Sequence, residues 1–395
     1  MLKAGTTSPP PAELIARARA MIPVLAERAA KAEAERRVSE ETIADMQAAG
    51  FFRVLQPARW GGYQMDMATY FEIQLALAQG DMSVAWVYGV VGVHPWLMGL
   101  LDERAAQDVW GADDTMLVSS SLMPAGTLTR ASGGFRLSGR WKFSSGCQHC
   151  GWAFLGVNTA RDPLEPPDRC VLLVPRSDYQ IVDTWHVAGL KATGSHDIVV
   201  EDVFVPEHRL LQFVDAFRGA APGLKVNTSP LYRLPFGQIF VRGVSTAALG
   251  ALQGMLDAFV RYGAARVSRG GRTADDPVAQ LAVAEAAAAI DEMKTILERD
   301  FHTLADYAQR GELPPLKLRM EYKLHSALVA ERCSNLATRL FRATGGIGIY
   351  NDQPFSRFLA DINAGRQHIS NQLEPIGRAY AAVMLGAEPA KDLML

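Results

Sequence analysis

Three short stretches of this 395-residue chain carry side chains that could do chemistry on a flat ligand. The first is GRWKFSSGCQHCGWAFLG, Gly139 to Gly156, in which an aromatic strand, Trp141 to Phe143, runs into Ser144, Ser145 and Gly146 before a second strand starts at Trp152. Hydroxyls and a glycine at a strand end let a flat ligand approach the backbone and hydrogen-bond along its edge. The same composition also makes an ordinary hairpin turn. The second stretch, AGLKATGSHDIVVEDVFVPEHRLL, offers the hydroxyls of Thr193 and Ser195 in a polar loop between Gly189, Gly194 and a following strand. The third is DINAGRQHISNQ, Asp361 to Gln372. There His368 falls in the N-terminal part of a predicted helix, with Asn371 and Gln372 one turn on, so that all three share a face. A histidine titrating near neutrality suits acid–base work on a phenol or an indole.

Other residues are ambiguous on their own. Cys147-Gln148-His149-Cys150 has the spacing of a zinc or redox pair, but no second pair or HxxxH completes four zinc ligands and no βαβ context surrounds it. Those cysteines read as packing residues. His94, within Gly92-Val93-His94-Pro95-Trp96, reads as a core histidine, and Ser119-Ser120-Ser121 as a turn, unless they converge on one cavity. Arg266 and Arg269, in AARVSRGGR, suit a phosphate or pyrophosphate, or else a solvated helix end. Gly345-Gly346-Ile347-Gly348 is too short for a dinucleotide fingerprint, and no GxGxxG follows a strand anywhere, which argues against a nicotinamide-binding domain.

The elements that must position these residues fall into three blocks. Helical periodicity runs through 12–113, with expected helices at Ala12–Arg36, after Ser39, at Asp66–Gln79, Met82–Gly92 and Glu103–Trp110. Short β-rich runs separated by turn signals fill 114–220, an all-β barrel or sandwich. Long alanine-rich helices fill 231–390, expected at Phe236–Gly263, Asp276–Arg310, Pro315–Thr344 and Ser356–Leu385, a four-helix bundle. The fold class is therefore α+β. A net charge of −2 leaves no footprint for nucleic acid or anionic membrane. Four cysteines are too few for a disulfide scaffold. With no signal-peptide pattern in MLKAGTTSPPPAEL, and with the apolar run Val84 to Leu101 broken by His94 and Pro95, a soluble cytoplasmic protein is expected.

This order of blocks, with TGSHDIVVEDVFVP after the strands and GGIG before the last helix, resembles the acyl-CoA dehydrogenase fold over nearly the whole chain, from Ala12 to Leu385. Within that superfamily, GRWKFSSGCQHCGWAFLG, DINAGRQHISNQ, FFRVLQPARWGG and GVHPW look like the oxygenase components of two-component flavin-dependent monooxygenases. Hydroxylases of secosteroid phenols are the closest in appearance, beside those of 4-hydroxyphenylacetate and indoles. The Tyr-Glu-Gly-Thr motif of short- and medium-chain dehydrogenases falls on His368-Ile369-Ser370-Asn371, so Ile369 stands where those enzymes keep a catalytic glutamate.

The resemblance implies reduced flavin (FADH2 or FMNH2) delivered by a separate NAD(P)H-dependent reductase, O2 as co-substrate, and a C4a-hydroperoxide that hydroxylates an aromatic substrate. It implies flavin contacts from Trp141, Phe143, Ser144, Ser145, Gly146, Thr193, Gly194 and Ser195, with Arg266 and Arg269 on the phosphates. Ser144 or Ser145 would lie near flavin N5, His368 would hydrogen-bond or deprotonate the substrate, and His94, Ser121, Trp86, Asn371 and Gln372 would complete its pocket. A homotetramer or homodimer is implied as well. Two alternatives remain open: a dehydrogenase-like flavoprotein acting on an acyl thioester, and a non-catalytic helical scaffold.

Overall fold

Ser39, Asp66, Asp81 and Asp102 each start a helix by accepting backbone N–H bonds with their own side chains, and these caps cut the N-terminal segment into pieces. The computed structural model of the protein describes residues 8–159, 168–268 and 271–388. Residues 1–7, 160–167, 269–270 and 389–395, Arg269 among them, lie outside the described residues. The first block comprises α1 (Pro11–Glu35), which runs through Pro23, then α2 (Glu40–Ala48), α3 (Met67–Gly80), α4 (Met82–Val91), α5 (His94–Met98) and α6 (Glu103–Trp110).

The middle block is two four-stranded sheets, the sandwich form of the expected β domain. Its strands are β1 (Val118–Ser121), β2 (Thr127–Ala131), β3 (Gly134–Ser144), β4 (Trp152–Thr159), β5 (Asp168–Pro175), β6 (Gln180–Val182), β7 (His196–Pro206) and β8 (Leu210–Gln212). One sheet has the order β1-β4-β5-β8, with β1 and β4 parallel, and the other the order β2-β3-β7-β6. Strand β3 runs through Gly139 without a turn and is interrupted by register shifts between Leu137 and Gly139 and between Trp141 and Ser144. Leu137, Trp141, Leu155, Leu172 and Ile198 fill the space between the sheets. The opposite face of the first sheet, through Phe154, Val171 and Leu173, joins the core of the helices.

After α7 (Phe213–Phe217), the last block holds α8 (Phe236–Ala265), α9 (Pro277–Arg310), α10 (Leu316–Thr344), α11 (Phe355–Arg366) and α12 (Leu373–Met384). By length and composition α8 could cross a membrane, but 89% of its apolar window is buried, because it is the central helix against which α3, α4, α10 and α11 pack. The single helix expected over Ser356–Leu385 is broken. The backbone of His368 is extended (φ −60°, ψ 138°) and a short 3-10 turn, Ile369–Asn371, follows. Pro375 is the third residue of α12; in a continuous helix its ring would collide with the carbonyl of residue 371.

A buried charge cluster ties α8, α9 and α10 together. The Asp300 carboxylate accepts from the Arg242 guanidinium, from Arg299 (3.0 Å) and from His325 Nδ1 (2.9 Å), while Arg242 also donates to the Tyr322 carbonyl (3.1 Å). Arg242 and Asp300 are both fully buried. Removing one partner strands the other as an uncompensated buried charge, which costs roughly 3–5 kcal/mol. Asp300→Ala is therefore expected to lower the free energy of unfolding by about that much. Urea denaturation monitored by circular dichroism measures it, and a loss below about 1 kcal/mol would contradict the role assigned to this cluster.

Candidate active site

Strand β3 and the loop before β7 meet at a chain of hydroxyls. Thr193 Oγ1 and Ser195 Oγ are 2.7 Å apart, Ser195 Oγ and Ser145 Oγ are 2.7 Å apart, and the Trp86 indole N–H donates to Ser145 Oγ at 3.3 Å. All four residues are buried, so each hydroxyl needs a partner, and the chain supplies one to each. The backbone brings the two segments together directly, since the Gly146 N–H donates to the Thr193 carbonyl at 2.8 Å. Gly146 has φ +68°, a left-handed turn that glycine adopts without a side-chain penalty.

A β-bulge decides which residues of the first motif face the chain. Residues i and i+2 of a strand share a face, but the register shifts between Trp141 and Ser144, and Phe143 has φ +65°. Trp141 therefore points into the sandwich, where its indole donates to the Gly156 carbonyl (2.7 Å), and it cannot pack on a ligand as the sequence reading expected. Phe143 turns outward with 67% of its surface exposed and meets Trp185 edge-on at 6.0 Å. The two serines are not equivalent: Ser144 is fully buried and donates to Ser119 Oγ (3.3 Å), and only Ser145 joins the hydroxyl chain.

Two histidines lie on the helical side. His94 Nδ1 is 2.5 Å from the Val118 carbonyl; since a carbonyl can only accept, Nδ1 carries the proton. Nε2 is then a bare acceptor, buried and without a partner among the described residues, and the imidazole meets the rings of Phe154 and Phe240. His368 is the opposite tautomer: its Nδ1 accepts the Ser370 N–H (3.2 Å), so Nε2 bears the proton. Its ring meets Trp86 edge-on at 5.8 Å. Burial lowers both imidazoles from 6.5 to about 4, keeping them neutral. In this tautomer His368 has no free lone pair, so the proton abstraction expected of it lacks an acceptor atom.

Asn371 is pinned by donating to the carbonyls of Val244 (3.1 Å) and Gly365 (2.8 Å), and its Oδ1 is a second buried acceptor without a partner among the described residues. Phe240 and Val244 are one turn apart on α8, so a single helix face spans from His94 to Asn371. Gln372 is exposed at the start of α12, because the helix break turns it away from His368 and Asn371. Ser121 is held by the Lys142 carbonyl (2.6 Å). Ile369 is exposed. Arg266 caps the end of α8, donating to the Thr344 carbonyl with its guanidinium over the Tyr262 ring.

The buried thiols of Cys147 and Cys150 lie within hydrogen-bonding reach of the Gly194 (3.7 Å) and Gly146 (3.4 Å) carbonyls. Burial raises Cys147 to about 11, which makes it a packing residue rather than a thiolate. Sequence reasoning passed over Phe154 and Phe240, which look like ordinary strand and helix residues until the fold brings them to His94, and it read Ser119, the partner of Ser144, as part of a turn.

The profile of the family described as acyl-CoA dehydrogenase, N-terminal domain, matches residues 14–101, and that described as acyl-CoA dehydrogenase, C-terminal domain, matches 242–373. The chain is 38% identical, over 93% of its length and 95% of the relative's, to the flavin-dependent monooxygenase oxygenase subunit HsaA of Rhodococcus jostii (strain RHA1). It is 33% identical to the oxygenase component of the FADH2-dependent resorcinol hydroxylase of Rhizobium sp. (strain MTP-10005), over 96% of both chains. The crystal structure of 3-HSA hydroxylase from Rhodococcus sp. RHA1 superposes with a TM-score of 0.92 at 37% identity, covering 97% of this chain and 99% of the other.

The lowered histidine pKa values have a defined sign in stability. Between about pH 6.5 and 4 the unfolded chain takes up protons at His94 and His368 that the folded chain does not. Their contribution is present above pH 6.5 and is lost as the pH falls toward 4. Comparing unfolding free energies of the wild type and His94→Phe isolates one histidine. The wild type should fall more steeply across this window, by roughly 1 kcal/mol per pH unit; parallel profiles would refute a neutral, buried His94.

Proposed function

The chain belongs to the acyl-CoA dehydrogenase family as an oxygenase component of its flavin-dependent aromatic monooxygenases, and from that premise we propose that it hydroxylates a phenol-type ring bound against His94. The observation that carries this reading is His94 Nε2, a buried acceptor with no partner among the described residues, fixed in its tautomer by the Val118 carbonyl. A phenolic O–H, or the N–H of an indole, supplies the donor that this nitrogen lacks. Accepting that hydrogen bond raises electron density in the ring at the moment it is attacked.

The residues present suit a flavin. The protons of the hydroxyl chain are taken by Leu190, Thr193 and Ser195 in turn, so Ser145 keeps an acceptor lone pair for a polar N–H edge, and Phe143 leaves an uncovered aromatic surface close by on β3. Bound reduced flavin supplies the activation of O2 and the hydroxyl group delivered to the substrate. Ser145 hydrogen-bonds the flavin edge, and Gly146, Gly194 and Ser195 bring backbone close to it. His368 donates from Nε2–H to an oxygen in the site, while Trp86 and the aromatic residues around His94 exclude water. Dryness of this kind suppresses loss of hydrogen peroxide. No carboxylate stands at Ile369 to abstract a proton from an acyl thioester, which disfavours dehydrogenation at that position.

The implied partner is a separate NAD(P)H-dependent reductase that supplies reduced flavin. We further propose assembly into a homo-oligomer, a tetramer or a dimer, through α12. No residue of that helix is buried within one chain, and Ile369 and Leu385 on either side of it are exposed. Arg266 would then serve the flavin phosphates of a neighbouring copy. Light scattering of the purified protein measures this, and a monomer at micromolar concentration removes the proposal.

Substituting the two serines separately distinguishes their roles. With a flavin reductase, NADH and a panel of phenols and indoles, Ser145→Ala should divert several-fold more reducing equivalents to hydrogen peroxide, and Ser144→Ala should not. His94→Ala should lower hydroxylation by about 10²-fold with flavin binding retained. Equal behaviour of the serine variants, or full activity of His94→Ala, would overturn these assignments.

A further inference from the structure

The hydroxyl chain is anchored at Leu190, a residue in left-handed conformation (φ +54°) although it is not glycine. Such a backbone persists only where its surroundings hold it. The Leu190 carbonyl accepts from the Trp185 indole N–H (2.9 Å), from Thr193 Oγ1 (2.9 Å) and from the Thr193 N–H (3.2 Å). Its N–H donates to Asp361 Oδ1 at 2.6 Å, across 171 residues of sequence. Both residues are buried. At the neighbouring Gly189 the backbone lies so close to α11 that a Cβ would fall 2.2 Å from the Ala360 carbonyl oxygen. One carboxyl on α11 thus holds the turn whose next hydroxyl, Thr193, begins the chain to Ser195, Ser145 and Trp86.

We propose that Asp361 is a positioning residue for the flavin site, clamping the Leu190–Ser195 turn to α11 through the Leu190 N–H and so setting the hydroxyl chain against the flavin edge. This rests on the flavin-dependent reading of the site. The clamp places the loop in register with α11, the helix that leads into His368, so the flavin-facing and substrate-facing residues share one support. A displacement of the order of 1 Å at such a site costs far more in rate than in stability.

The charge state of the clamp follows from its neighbours. Burial, then Asp81 at the N-cap of α4 and Glu33 of α1, raise the Asp361 carboxyl, while the Leu190 N–H and Arg357 oppose them; the result is about 8. Glu33 is itself paired with Lys191 of the turn at 2.7 Å. At neutral pH Asp361 is therefore a neutral acid that accepts through its carbonyl oxygen, a role an asparagine amide reproduces. Above pH 8 it ionises beside Asp81 and Glu33, and like charges in a buried site repel.

Hydrogen exchange of the flavin-free protein, followed by mass spectrometry on the peptide spanning residues 186–196, tests the clamp without reference to catalysis. Asp361→Ala should raise exchange there at least tenfold and weaken binding of reduced flavin about tenfold, while Asp361→Asn stays within twofold of wild type in both. Unchanged exchange in folded Asp361→Ala, or an Asn variant behaving like Ala, would overturn the proposal. If the Ala variant does not fold, the pH profile decides. Corrected for intrinsic rate, wild-type exchange in this peptide should rise as the pH climbs from the ordinary carboxylate value of 3.8 to about 8 and level off above it, and that of Asp361→Asn should not; coincident profiles count against the clamp. A protein that passes these tests yet hydroxylates nothing would refute the functional reading and leave the clamp in place.

Discussion

The junction between the β sandwich and the helices is held by polar side chains buried away from the protein surface. Thr193, Ser195 and Ser145 are buried hydroxyls bonded one to the next in a row that runs from the Leu190 carbonyl to the Trp86 indole. Leaving one such group without a partner costs about 1–3 kcal/mol, more than a typical satisfied hydrogen bond contributes. Strand β3, the turn after Leu190 and helix α4 must therefore keep their relative positions, and the rest of the site inherits that register. The bulge in β3 is part of the same constraint, because it sends Trp141 inward, Phe143 outward and Ser145 to the junction.

The two histidines divide the polar work by tautomer rather than by pKa. Both are neutral for the same reason, burial, yet the Val118 carbonyl leaves His94 an outward acceptor and the Ser370 amide leaves His368 an outward donor. A neutral imidazole presents only one of each, so the second-nitrogen contacts decide which end of a substrate each ring can read. This assigns the acceptor role to His94, where the sequence reading had given base-like work to His368.

Much of the architecture was legible in the residues themselves. The change from helical to strand periodicity near Thr115 and the long alanine-rich segments led to three blocks in the observed order. The motifs around Ser145, Thr193–Ser195 and His368 were found because glycine, hydroxyl and histidine side chains are conspicuous beside apolar runs. The break in the last helix was missed. The pattern over Ser356–Leu385 is amphipathic throughout, and the only local sign was Pro375, which a first helical turn tolerates equally well.

Caps, strand period and helix period depend on neighbours within a few positions of the chain, so the sequence alone was sufficient for the element order and for the residue types able to do chemistry. It could not say which serine faces the junction, which nitrogen of each histidine is free, or that Asp361 reaches Leu190. Those answers turn on a one-residue bulge, on carbonyls and amides placed by packing, and on a contact spanning 171 positions. Each is a property of atoms brought together by the fold, and no local pattern of side chains encodes it.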